Sequence, residues 1–146
     1  MKRTAPILAL GLIILLASAS VSLGQVKTWI RVIQASSEGS TIDPSLADVH
    51  HQLGSLFSFT SYQVLRSERR SLSPNQTVEI PTHSGSAIEI TLLRQEKNMA
   101  ELRLTVKRGG ADILNTQVRL FSGRTVLIGG PRHGEGVVIF ALSARF

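Results

Sequence analysis

Residues 87–92, Ala-Ile-Glu-Ile-Thr-Leu, and residues 102–107, Leu-Arg-Leu-Thr-Val-Lys, decide the fold class of this chain. Ile88, Ile90 and Leu92 alternate with Glu89 and Thr91. Leu102, Leu104 and Val106 alternate with Arg103, Thr105 and Lys107. A period of two puts every second side chain on the same face of an extended strand. One buried and one wet face is the pattern of antiparallel sheet. Gln95 to Asn98 then supplies the connection between the two strands, and Arg108-Gly109-Gly110 the next turn.

The same reading extends outward. Residues 113–121 alternate, with Leu114, Thr116, Val118 and Leu120 on one side and Asn115, Gln117 and Arg119 on the other. Ser122-Gly123 turns the chain into a strand over 125–128. Residues 137–144, VVIFALSA, are almost wholly apolar and predict a final strand that is central or covered on both faces. Towards the N-terminus, residues 61–72 predict a strand, Ser73-Pro74-Asn75 a turn, and 77–81 a short strand ended by proline. Residues 26–35, VKTWIRVIQA, are rich in β-branched and aromatic types and predict the first strand.

One helix interrupts this pattern. Asp43 is placed to cap free amides, and Pro44 suits the first helical position. Leu46, Val49, Leu53 and Leu56 follow at spacings of three, four and three, a single helical stripe. The helix is predicted from Pro44 to about Phe57. The fold class is therefore α+β: mainly antiparallel β-sheet of about eight strands, sandwich-like, with one packed helix after the first strand. The domain occupies residues 25–146.

Residues 1–24 predict a secretory signal peptide. Lys2 and Arg3 precede the uncharged apolar run 7–17, and small residues follow it. The run is about half the roughly 20 residues that a spanning helix needs. Cleavage before Ser20, Leu23 or Gln25 fits the small-residue requirement equally well. No cysteine follows the run, which excludes a lipoprotein anchor, and the whole chain has none. Small secreted eukaryotic domains usually carry disulfides. A cysteine-free exported domain points instead to the periplasm, or secretion, of a Gram-negative bacterium. Asn75-Gln76-Thr77 then reads as loop sequence rather than a glycosylation site.

The whole chain has a formal charge of +6, with 16 Lys and Arg against 10 Asp and Glu. Loss of Lys2 and Arg3 with the leader leaves 14 against 10, a mildly basic domain. Such a domain is weakly attracted to anionic membrane or glycan. Few aromatics interleave its basic residues, so no nucleic acid partner is expected.

Several constellations bear on chemistry. Residues 129–136, GGPRHGEG, carry four glycines in eight positions. They read as a bulged hairpin connection or a contact loop that displays Arg132, His133 and Glu135. The segment lacks the Lys-Ser/Thr ending of a phosphate-binding loop. Arg66, Glu68 and Arg70 share one strand face and Arg69 takes the other, which makes Arg66 and Arg70 a candidate binding stripe. His50-His51 on a helix point about 100° apart and do not clamp one metal. His83, Ser84 and Ser86 lack the Gly-x-Ser-x-Gly frame of a nucleophile elbow. Asp43 reads as a cap and Asp48 as a solvated helix residue. Phe57, Phe59 and Tyr62 anchor the helix onto the sheet or, if exposed, form a patch, and Trp29 shares that ambiguity.

The segment 124–130, RTVLIGG, followed by a loop and an apolar strand, resembles the TVVIGG strand element of bacterial secretins. The strand-helix-strand order of residues 26–72 is loosely similar to the small periplasmic ring-building modules of those systems. The chain is too short to hold a secretin barrel, so the resemblance implies an envelope protein of similar habitat. The whole chain also looks like the small secreted proteins of Gram-negative bacteria. Together these features predict an exported, non-enzymatic binding or assembly module of the cell envelope, with an envelope protein as partner and no cofactor. Its binding residues are expected among Arg66, Arg70, Arg132, His133 and Glu135. A small secreted hydrolase using His133 with Glu135 or Ser84 is the first alternative. A membrane-tethered structural protein that keeps its leader is the second.

Overall fold

A computed structural model describes residues 25–82 and 85–146. The leader, His83 and Ser84 lie outside the described residues. Within them the chain forms β1 (Val26–Ser36), β2 (Ser61–Leu72), β3 (Thr77–Pro81), β4 (Ser86–Gln95), β5 (Met99–Arg108), β6 (Ala111–Phe121), β7 (Thr125–His133) and β8 (Gly136–Arg145). All pairings between these strands are antiparallel. One sheet has the order β2-β1-β8-β7 and the other β3-β4-β5-β6. Each strand thus follows its sequence neighbour around the perimeter, and β8 returns to β1. Ladder pairing is interrupted only between β2 and β3 and between β6 and β7, so the perimeter is a flattened up-and-down barrel opened into a sandwich.

The alternation read from the sequence defines the core. Ile88, Ile90 and Leu92 of β4 and Leu102, Leu104 and Val106 of β5 pack against Ile30, Val32, Phe140 and Leu142 of the other sheet. All are buried. Their removal from water supplies the main driving force for joining the sheets. Leu104→Ala is expected to cost about 2–5 kcal/mol through lost burial and a cavity. Urea denaturation checks this as a lower midpoint with an unchanged slope.

A second core lies on the opposite face of the first sheet. Ile33 and Ala35 of β1 and Ile139 and Ala141 of β8 meet Leu46, Val49 and Leu53. This is why β8 is apolar on both sides: it is central, with β1 on one edge and β7 on the other.

The predicted continuous helix is in fact two pieces. A 3-10 turn covers Pro44–Leu46, and the helix α1 covers His50–Leu56. Asp43 caps the first piece as expected, accepting from the Ser45 amide at 2.9 Å. The chain turns at 47–49, and Leu56 is 59% exposed rather than part of the stripe. Three buried anchors with a break between them satisfy the sheet face, and the fourth position overshoots it.

The glycine-rich segment takes the bulged-hairpin form of its two expected readings. Instead of a separate contact loop, β7 runs on through Gly129, Gly130, Pro131 and Arg132 to His133, with a bulge between Gly129 and Arg132. A two-residue turn, Gly134-Glu135, then opens β8, with Gly134 at φ +57°. Positive φ at the first turn position suits tight hairpins and favours glycine. Gly136 is required for a different reason. A Cβ there would lie 1.8 Å from the Ala35 carbonyl oxygen.

Candidate functional site

The short helix covers only part of the sheet face it packs on. Odd-numbered residues of β1 face the helix side. Ile33 and Ala35 lie under the helical segment, whereas Trp29 and Lys27 continue beyond it towards the start of the strand. Strand pairing sets the neighbours of that uncovered region. Trp29 stands opposite Arg69 of β2 and Ser143 of β8. Lys27 stands opposite Ser71 and Arg145. Ser143 in turn faces Thr125 of β7. Asp48 and Gln52 of the helical segment form the wall, and the resulting groove encloses about 780 Å³.

Arg31 follows Trp29 on this face of β1, between the groove and the helix-covered residues. It sits on the sheet face, 1% exposed, and donates through Nη1 and Nη2 to both oxygens of Asp48 at 2.8 Å. Asp48 is therefore not a merely solvated helix residue. The break at 47–49 turns its carboxylate onto the sheet, and a bidentate guanidinium pair forms there. Hydrogen bonding from Arg31 holds the Asp48 carboxyl below its ordinary range, against a smaller opposing effect of burial.

Trp29 organises the cations around it. The guanidinium carbon of Arg31 lies 3.8 Å, and that of Arg69 4.4 Å, from its ring centroid. Its indole N–H donates to Ser67 Oγ at 2.8 Å, which fixes the ring. Guanidinium over an aromatic face is attracted by the ring quadrupole. Arg69 is thereby held in place without a carboxylate. Among the described residues, Lys27, Arg69 and Arg145 make no ion pair with an acid. Asp48, the acidic residue of the lining, is already neutralised by Arg31.

The residues singled out in the sequence fall in separate places. Arg66 and Arg70 do share a face, and Glu68 bridges them through both carboxylate oxygens. The two arginines hold the Glu68 carboxyl below its ordinary range, Arg70 contributing most. Their charge is therefore half-compensated, although Arg70 also lines the groove. Arg132, His133 and Glu135 sit at the β7–β8 hairpin. At about 3.4 Å per residue, that is roughly 25 Å along β7 from Thr125 in the groove. The structure thus does not bring the two expected sets together.

Phe57 and Phe59 are partly buried and pack on the second core with Tyr62, which is the anchoring role. The Tyr62 hydroxyl reaches the Phe57 carbonyl at 3.3 Å, tying the end of α1 to the sheet. His50 and His51 are exposed on α1. No group of three metal-ligating residues occurs among the described residues. Ser86 is buried, and its hydroxyl accepts from Arg108 Nε at 3.2 Å. Its proposed companions His83 and Ser84 lie outside the described residues.

Local sequence pattern does not mark Lys27, Trp29, Arg69 and Arg145 as one site. A signal was present in 29–35, where Trp29, Ile33 and Ala35 make one strand face apolar except for Arg31. The other three cations come from three different strands and meet only through register. The segment RTVLIGG occupies the start of β7, an outer strand of the first sheet. The chain matches no family model, no curated protein and no solved structure.

Proposed function

We propose that this protein is an exported, non-enzymatic binding module of the cell envelope, and that it holds an anionic partner in the groove beside Trp29. The observation that carries this reading is the cluster Lys27, Arg69 and Arg145. It presents three cations on one sheet face with no paired acid among the described residues. Lys27 and Arg145 are directly opposite each other on neighbouring strands. Like charges so placed destabilise a sheet, and an anion between them removes that cost. The leader-like residues 1–24 and the secretin-like RTVLIGG segment support an envelope habitat. The groove replaces Arg132, His133 and Glu135 as the favoured contact surface, because those residues are remote from the cation cluster.

The test is crosslinking in intact cells, followed by envelope fractionation and mass spectrometry. The expected result is a mature N-terminus between Ser20 and Gln25 and a reproducible envelope adduct. That adduct is lost in the combined variant Lys27→Gln, Arg69→Gln, Arg145→Gln. All three side chains are exposed, so the variant keeps its fold. A protein retained in the cytosol, or an adduct indifferent to the three substitutions, overturns the reading.

A further inference from the structure

We infer that the groove takes a phosphomonoester carried on a polar, sugar-like body. This inference rests on the proposed role of the groove as the binding surface and specifies its ligand. The compactness of the cation cluster is the first argument. Arg69, Lys27 and Arg145 lie on the adjacent strands β2, β1 and β8. Neighbouring strands are about 4.8 Å apart. Lys27 and Arg145 share one transverse row, and Arg69 stands in the next row, opposite Trp29. Three long cationic side chains rooted this close along one groove can reach a single bound group. An acidic peptide offers carboxylates that each carry a single charge and two acceptor oxygens. A phosphomonoester instead concentrates about −1.5 to −2 charges and three acceptor oxygens in one group.

Preorganisation is the second argument. Arg69 is already stacked at 4.4 Å on an indole that Ser67 holds by hydrogen bond. Its guanidinium donors are not spent on any acid among the described residues. A side chain held in its binding position loses less freedom when the ligand arrives. Because Trp29 also carries Arg31 at 3.8 Å, its role is to position guanidinium groups rather than to stack on the ligand.

The remaining space sets the rest of the ligand. A groove of about 780 Å³ is far larger than a phosphate group and falls in the range of small-molecule sites. Beyond the cations its lining includes Ser71, Ser143, Thr125 and Gln52. The Ser71 and Ser143 hydroxyls make no hydrogen bond within the described residues, so both remain to be satisfied by a hydroxyl-bearing body. A free phosphosugar and a lipid headgroup that ends in a phosphomonoester share this chemistry.

Titration calorimetry of the full-length protein with glucose 6-phosphate, with glucose as control, tests the first source. Sedimentation with phosphatidylcholine vesicles, with and without phosphatidic acid, tests the second. Polyglutamate tests whether the groove takes any anion. Saturable binding of glucose 6-phosphate but not glucose supports the inference and identifies a soluble ligand. Binding only to vesicles containing phosphatidic acid also supports it and identifies a headgroup. In either case Lys27→Gln, Arg69→Gln and Arg145→Gln each weaken binding about tenfold or more, the effect of removing one charge-assisted contact. Polyglutamate binding without either phosphomonoester overturns the inference while leaving an anion-binding groove. No binding to any of the probes overturns both.

Discussion

Gly136→Ala is expected to destabilise the fold by about 3 kcal/mol or more, beyond the usual range for a single added methyl. The added Cβ would lie 1.8 Å from the Ala35 carbonyl oxygen and 2.9 Å from its carbonyl carbon. Both are backbone atoms, so no side-chain rotation relieves the overlap. The first residue of β8 must move away from the end of β1, where Val137 pairs with Ala35. That junction closes the order of strands from last to first, and its loss also disturbs Ile139 and Ala141 in the second core. Gly134→Ala is the control. It is strained by its positive φ, yet a Cβ there meets nothing within 4 Å, so its cost is about 1–2 kcal/mol. Urea midpoints of the two variants should separate clearly. Equal midpoints would show that the hairpin end relaxes freely, contrary to this account.

Asp48→Ala is expected to be the second large effect, at about 2–3 kcal/mol. Removing one partner of a buried ion pair leaves an uncompensated charge, here the Arg31 guanidinium at 1% exposure. The figure is placed at or below the usual range because the Asp48 side chain is itself 49% exposed and water screens part of the loss. Arg31→Met removes the buried charge altogether and should cost less than Asp48→Ala. The pair also has a pH signature. Asp48 is held below its ordinary value of 3.8, so its contribution is fully present above that value in the folded protein. It is lost progressively as pH falls from that value through the lower range in which the folded carboxylate protonates. Thermal melts of the wild type should therefore lose stability through that acid range, and Asp48→Ala should flatten part of the loss. A wild-type profile with the same acid limb as the variant would contradict the role given to the pair.

Most of the fold was legible because period-two alternation is local and this protein obeys it. Ile88, Ile90, Leu92, Leu102, Leu104 and Val106 all point into the sandwich core, as their spacing required. The apolar run of β8 reads correctly as a strand covered on both faces. One element misled for a physical reason. The stripe Leu46, Val49, Leu53 and Leu56 has helical spacing, but a 3-10 turn followed by a short helix presents the first three equally well. The glycines at 129–136 fit a contact loop as well as a bulged hairpin; the hairpin forms, and Gly130 and Gly136 are small because neighbouring strands and Phe140 crowd them.

The groove was far less legible. Arg69 looked like the odd member of a charged stripe, and its indole partner Trp29 is separated from it by β-pairing across the intervening chain. Lys27 and Arg145 lie near opposite ends of the chain and become neighbours only because β8 pairs with β1. Nothing in local spacing announces a contact of that sequence separation. Asp48 likewise finds Arg31 only after the helix packs on the sheet.

Trp29 is the only tryptophan in the chain, so its fluorescence reports on the groove alone. Titration of the protein with pyrophosphate, a compact polyanion, tests the anion-binding groove most directly. A saturable change in Trp29 emission is expected, one that weakens with added salt and disappears in the combined Lys27→Gln, Arg69→Gln, Arg145→Gln variant. An unchanged spectrum, or a change that survives those three substitutions, would contradict it.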